Sequence, residues 1–409
     1  MRSSIVLATA VFVLSCAAVA SAQQAGALDT AFGQNGKITT NISAVPTDVH
    51  VLADGRIDVV GGAGVVRFLS NGAFDTGFGR GGAAAVGFNA VSEAIQADGK
   101  LVVVGTLLNS YGSPLNAAVA RLDPSGKLDR TFGANGVVNI NFVNGAVSSG
   151  AVVILQPNGK IVVGGLARIG VCRLTVDTGF ARLNSNGSFD GNFGYGGIVA
   201  IQSAYRSAFN SLALQSNGKI LALGDGTSVL RLLSNGVRDS SVTGGTIASI
   251  AHVGTGTFQP DGKIVVGANY YEDNGYDWDL QPQRYLRSGS TDPAFSGPVI
   301  DYGGNYPPND VVADNPYAIV VDSVGRIVIG GMSQAPDYSS KFGLARFVPN
   351  GSLDTTFGKG GTLMTPFLMH AEVTALAIQP DGKIIAVGAT STAKQYAPNR
   401  LVLARYLGP

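Results

Sequence analysis

IQPDGKIIAVG, residues 378–388, reads as a tight turn that delivers the chain into a buried strand. Asp381-Gly382-Lys383 interrupts one apolar run, and Ile384 begins the next. The same phrase recurs upstream as LADGRIDVVGG (52–62), IQADGKLVVVG (95–105), LQPNGKIVVGG (155–165), LQSNGKILALG (214–224), FQPDGKIVVGA (258–268) and DSVGRIVIGG (322–331), making seven copies. A second phrase alternates with it: a strand holding one arginine, then an aspartate eight residues later. The pairs are Arg67/Asp75, Arg121/Asp129, Arg182/Asp190, Arg231/Asp239, Arg284/Asp292 and Arg346/Asp354. Each aspartate opens a segment like LDTTFGKGG (353–361). The two chain ends supply the missing halves. LDTAFGQNG (28–36) lacks a preceding arginine strand, and LVLARYLGP (401–409) lacks a following aspartate segment.

Each unit of about 55 residues spells four short strands. Its Asn-Gly and Asp-Gly turns predict two-residue hairpins, with positive φ supplied at both central positions. Seven such units with complementary half-units at the termini predict an all-β, seven-bladed β-propeller of four-stranded blades. The N-terminal strand KITTNI (37–42) is expected to close the ring as the outer strand of the C-terminal blade, so that 23–409 is a single domain. The three motifs, in order and with constant spacing, resemble the delta-60 repeat family of secreted bacterial proteins over residues 28–407. That resemblance implies a propeller and an extracytoplasmic setting; it implies no reaction. The copies depart from the pattern at 237–245, with Val242 in place of Phe, and at 322–326, with Val324 in place of the turn Asp.

Of the 409 residues, 45% are hydrophobic, only 13% are charged and 57 are glycine, and the net charge is +1. Abundant branched apolar residues exclude disorder, and charge neutrality argues against nucleic acid as a partner. Residues 1–22 read as a secretory signal: Arg2, an apolar stretch Ile5–Val13, and Ala20-Ser21-Ala22 before the cut. Lipid attachment at Cys16 is a rival, weakened by the poor context of that cysteine. After cleavage Cys172 stands alone, so no intrachain disulfide is available. No transmembrane segment is predicted. Oligomeric state is left open.

The repeated Arg, Asp and Phe read as scaffold, because an eight-residue offset across a tight turn brings guanidinium and carboxylate together within one blade. Function is sought where the copies differ. Both hairpin turns of a unit fall on one face and are stereotyped; the other two connections fall on the opposite face and vary. The richest of these are NYYEDNGYDWDLQP (269–282) and DYGGNYPPNDVVADNP (301–316), adjacent at blades five and six. They offer Tyr270, Tyr271, Tyr276, Trp278, Tyr302 and Tyr306 beside Asp277 and Asp279. Aromatic plates with carboxylate acceptors suit a glycan or a protein partner at a noncatalytic binding or scaffold surface. Packing of long loops onto the rim, in a purely structural surface component, explains them equally. Calcium could use Glu272, Asp273, Asp277 and Asp279, although the spacing is not that of a known loop and solvated acids explain it more simply. No cofactor is otherwise called for. A hydrolase or lyase at the channel mouth is the catalytic alternative. Its candidates are His252, His370 and Glu372, near the entrances of inner strands, with Asp48 and Glu93 early within two others. No catalytic motif accompanies them.

Overall fold

The computed structural model describes residues 24–144, 146–168, 176–203, 209–224, 228–241, 246–249, 253–271, 278–301, 314–335, 337, 339–391 and 399–408. At 176–177, 202–203, 209–210, 228, 246–249, 253–254, 270–271 and 278 it describes the backbone alone. The expected signal segment 1–22, Cys16 and Cys172 therefore lie outside the described residues. Among the described residues no helix is long and apolar enough to cross a membrane.

All regular structure among these residues is strand, arranged as seven blades. Blade one is β2 (Pro46–Val51), β3 (Ile57–Gly61), β4 (Gly64–Phe68) and β5 (Ala83–Ala85). Blade two is β6 (Asn89–Ile95), β7 (Leu101–Leu108), β8 (Pro114–Leu122) and β9 (Val137–Ile140). Blade three is β10 (Val147–Leu155), β11 (Ile161–Arg168), β12 (Val176–Leu183) and β13 (Ile198–Ser203). Blade four is β14 (Phe209–Leu214), β15 (Ile220–Gly224), β16 (Ser228–Leu232) and β17 (Thr246–Ser249). Blade five is β18 (Val253–Phe258), β19 (Ile264–Tyr271) and β20 (Trp278–Tyr285). Blade six is β21 (Asp314–Val321), β22 (Ile327–Gln334), β23 (Ser340–Phe347) and β24 (Thr362–Thr365). Blade seven is β25 (His370–Ile378), β26 (Ile384–Ser391) and β27 (Arg400–Tyr406), completed by β1 (Lys37–Ser43) from the other end of the chain. The expected ring closure is thus made, with Lys37 opposite Ala404 and Thr39 opposite Val402.

The first strand of each blade touches the first strands of its two neighbours, and the last of the seven returns to the first, so these strands enclose the axis. Each carries one extra residue in its pairing with the second strand: Thr47, Val91, Ala151, Asn210, Gly254, Tyr317 and Thr374. Such a bulge bends and twists a strand, which an inner strand at a ring's centre needs. In six blades a glycine of the second strand sits opposite the bulge, and in blade five its place is taken by Ala268. A Cβ at Gly331 would lie 1.8 Å from the Asn315 carbonyl oxygen, and one at Gly105 would lie 2.0 Å from that of Asn89. Only hydrogen fits there.

The Asp-Gly turns differ from the two-residue form that the sequence suggests. Ile95 pairs with Leu101, Gln96 N–H donates to the Lys100 carbonyl, and Gly99 N–H donates to the Gln96 carbonyl. This is a three-residue loop: a turn followed by one glycine at positive φ (79° at Gly99), while Asp98 stays at negative φ and accepts from Lys100 N–H instead. At 322–326 the loop survives Val324, because Asp322 Oδ1 accepts from both Val324 and Arg326 N–H.

The arginine–aspartate reading holds in six blades and is more extensive than the spacing implied. Arg182 Nε lies 2.7 Å from Asp190, its Nη1 donates to the Ser234 carbonyl of blade four, and its guanidinium covers the Phe193 ring at 4.7 Å. Lys160, from the first hairpin of the same blade, reaches the same carboxylate at 2.7 Å. Each arginine of this type therefore ties its own turns together, and several also staple the next blade. Blade one is the exception: Arg67 turns away from Asp75 and holds Asp58 through Nε and Nη2 at 2.6 and 2.7 Å.

Blade five departs in another way, with three strands and a single bridge, Leu280 to Ile300, where the fourth should run. Pro282 explains this. It occupies the position of Val119 in blade two, where the strand's N–H groups turn alternately toward the fourth strand, and proline has no N–H to give. The apolar core is divided into wedges between blades. One joins Val102 and Val104 of blade two to Val153 and Val163 of blade three around Phe132.

Candidate functional site

The β19–β20 connection opens on the variable face, and register brings four of the sequence candidates to its base. Tyr270 pairs with Asp279, and Tyr271 pairs with Trp278. The rest of the aromatic and acidic set, Glu272, Asp273, Tyr276, Asp277, Tyr302 and Tyr306, lies outside the described residues, as does His252.

What the structure adds is a convergence of carboxylates. Asp279 is the second residue of β20, Asp301 follows the bridge residue Ile300, and Asp314 heads β21 of blade six. One carboxylate oxygen from each lies within 4.8 Å of those of the other two. Asp279 and Asp314 are buried, 3% and 2% exposed, while Asp301 is open to solvent. Three acids thus gather at the junction of two blades with Asp301 as the one open to solvent; ionised carboxylates accept from hydroxyl or amine and ligate cations. Calcium takes six to eight oxygens, so these three alone are an incomplete set for it. Asp279 is among the sequence candidates; Asp301 and Asp314 are not. Their signal is positional: both flank the connection 302–313, the longest interruption of the repeat between blades.

The second group of ionisable residues is on the inner strands. His370 and Glu372 stand on β25, opposite Ser391 and Ala389. Burial pushes the Glu372 carboxyl up, against the pull of His370. Tyr317, at the bulge of β21, is close enough for its hydroxyl to be raised by burial and by Glu372. No cluster of three metal-ligating groups forms around them among the described residues.

Asp48 and Glu93 meet a different setting. Asp48 Oδ2 accepts from Ser92 Oγ at 2.9 Å and Glu93 N–H at 3.2 Å, and it contacts His50 Nε2 at 3.2 Å. Burial alone would raise the Asp48 carboxyl and lower His50; their mutual attraction reverses both, and His50 is raised to about 9. Glu93 is 2% exposed, and neither of its carboxyl oxygens has a hydrogen-bond partner. Asp48 and Glu93 are among the sequence candidates; His50 and Asp58 are not. Superposing the seven copies would have found all four, since each breaks a neutral position.

No curated protein sequence matches this one. Solved structures similar in fold include YCF48 bound to D1 peptide, at 10% identity over 91% of this chain and 96% of that one, with a TM-score of 0.46. A glucose dehydrogenase matches at 10% identity over 76% and 95% (TM-score 0.41). A gluconolactonase from Xanthomonas campestris matches at 14% over 95% and 99% (TM-score 0.41). Likenesses this remote assign no activity. A family profile matches in seven segments: 52–78, 96–132, 156–193, 215–241, 259–295, 325–357 and 379–407. Each begins within one Asp-Gly-type turn and takes in the arginine strand that follows it, and the family is a propeller-repeat family related to the delta-60 repeats, whose own name the match does not carry. With more than half its length in those segments and a blade built on each, the chain belongs to the family described as domain of unknown function (DUF5122) β-propeller.

Proposed function

We propose that this protein is an exported, noncatalytic binding module that seats a carbohydrate on the variable face at the junction of blades five and six. The observation that carries the reading is the gathering of Asp279, Asp301 and Asp314 within 4.8 Å, at the foot of the two most aromatic connections in the chain. Acceptor-only carboxylates bond sugar hydroxyls, and flanking tyrosine and tryptophan rings suit the apolar faces of pyranoses. Export rests on the secretory character of residues 1–22, with Cys16 as the alternative anchor point. A glycan array probed with the mature chain tests the reading. Retention on one sugar class, lost in Trp278→Ala/Tyr276→Ala and in Asp301→Asn with an unchanged melting temperature, supports it. Retention unaffected by these substitutions refutes the seat. Silence across the array, with capture of a purified surface protein instead, refutes the carbohydrate.

A further inference from the structure

Between blades one and two the repeat is broken four times at one place. The position of Glu93 on the inner strand is Val49, Val153, Leu212, Gly256, Ile319 or Leu376 in the other blades, each paired in the same register with the second strand. The position of Asp58 is Val, Leu or Ile in all six others. Those of His50 and Asp48 are filled elsewhere by apolar or hydroxyl residues. Six seams are therefore closed without an ionisable group at any of these positions, and one is closed around four.

The charges of that seam can be followed pair by pair. Asp58, fully buried, spends both oxygens on Arg67, itself 1% exposed. Asp48 is matched by His50, and these two keep about a quarter and a third of their side-chain surface. Glu93 is the third carboxyl. The strands packed against β6 are β2, β3, β4, β7 and β10. They present Asp48 and His50, Asp58, and Arg67 from blade one, and no titratable group from β7 or β10. Both cations are thus engaged, and the two buried oxygens of Glu93 have no protein donor within hydrogen-bond distance. Ionised, it would be a buried charge without a counter-ion; protonated, it is a tolerable neutral group. Replacing apolar packing with such a cluster costs stability, so the seam is tuned to something other than strength.

We propose that the blade-one/blade-two seam is a proton-operated latch, sealed while Glu93 holds its proton and loosened when that proton leaves. Loss of the proton sends the carboxylate toward water or toward His50, parting β2 from β6 while the six other seams stay shut. Burial, then the like charge of Asp58, push the Glu93 carboxyl well up from 4.5. A group raised on folding stabilises fully below its unfolded pKa, and that contribution is lost as pH rises toward the folded value. His50, raised to about 9 from 6.5, acts in the same direction over that upper interval. The latch therefore opens on the alkaline side.

Hydrogen exchange of the full mature chain between pH 5 and pH 9, corrected for intrinsic exchange chemistry, tests this. Protection of residues 46–51 and 89–95 is expected to fall with rising pH, by up to about tenfold per pH unit for one linked proton, while residues 209–214 hold theirs. Glu93→Leu restores the apolar residue type of most other seams, and Glu93→Gln keeps the shape without the titration; both are expected to flatten the lower part of the profile and to leave the slope that His50 contributes above about 6.5. His50→Gln should retain the lower part of the slope. A flat wild-type profile overturns the latch, as does an unchanged slope in the two Glu93 variants.

Discussion

Asp354 offers the cleanest measure of what the repeated ion pairs contribute. It accepts from Arg346 Nε at 2.8 Å, and the two side chains are 8% and 2% exposed. In other blades a lysine from the first hairpin shares the aspartate, as Lys160 does at 2.7 Å in blade three. In blade six that cation is Arg326, which is drawn to Asp322 at 2.6 Å instead. Asp354→Ala consequently leaves a buried guanidinium over the Phe357 ring with its ion pair cut. Cutting one side of a buried pair costs about 3–5 kcal/mol, whereas an exposed pair is worth at most about 1 kcal/mol. Urea unfolding followed by tyrosine fluorescence reads the difference from the midpoint and slope. Arg346→Met in the same chain removes the stranded charge and keeps an unbranched stem on the ring, so the double variant should be more stable than Asp354→Ala alone. A single-variant cost below about 1 kcal/mol, or a double variant less stable than the single, would refute the claim that these pairs are buried structural ties.

Two further outcomes follow from the same geometry. Gly331→Ala places a methyl group 1.8 Å from a backbone oxygen, so β21 and β22 must separate; a loss of about 2 kcal/mol or more is expected in the same unfolding assay. On the acid side, Asp29, Asp190, Asp292 and Asp354 are held below their usual 3.8, because bonds from cations and turn amides outweigh the burial that would raise them. Groups depressed on folding stabilise above their unfolded pKa, and that contribution is lost as pH falls through the folded value. The melting temperature should therefore drop steeply below pH 4, and together with the alkaline loosening at Glu93 the stability curve should be two-sided.

The number of blades, their strand order and the closing role of residues 37–42 were all legible without coordinates. The repeat states them seven times, and chance irregularities in one copy are outvoted by the others. Local rules were less reliable. The Asp-Gly dipeptide promised a two-residue hairpin, but the flanking register at Ile95 and Leu101 leaves room for three residues, and only glycine takes positive φ. Pro282 was visible in the sequence, yet its effect depends on which way its missing N–H would have faced.

Sequence alone determined the architecture, because hydrophobic alternation, turn residues and repetition are properties of neighbours along the chain. The tertiary structure decided what happens between blades, where residues distant in sequence meet. Asp279, Asp301 and Asp314 come from three separate stretches and acquire meaning from their 4.8 Å grouping. Within blade one, Arg67 breaks the pairing rule of its six counterparts because Asp58 lies opposite it on the neighbouring strand, at 2.6 Å. Glu93 is marked in the repeat by the uncharged residues at its place in the other six copies, but how far it is desolvated is set by the neighbouring blade, a three-dimensional quantity that no spacing in the sequence encodes.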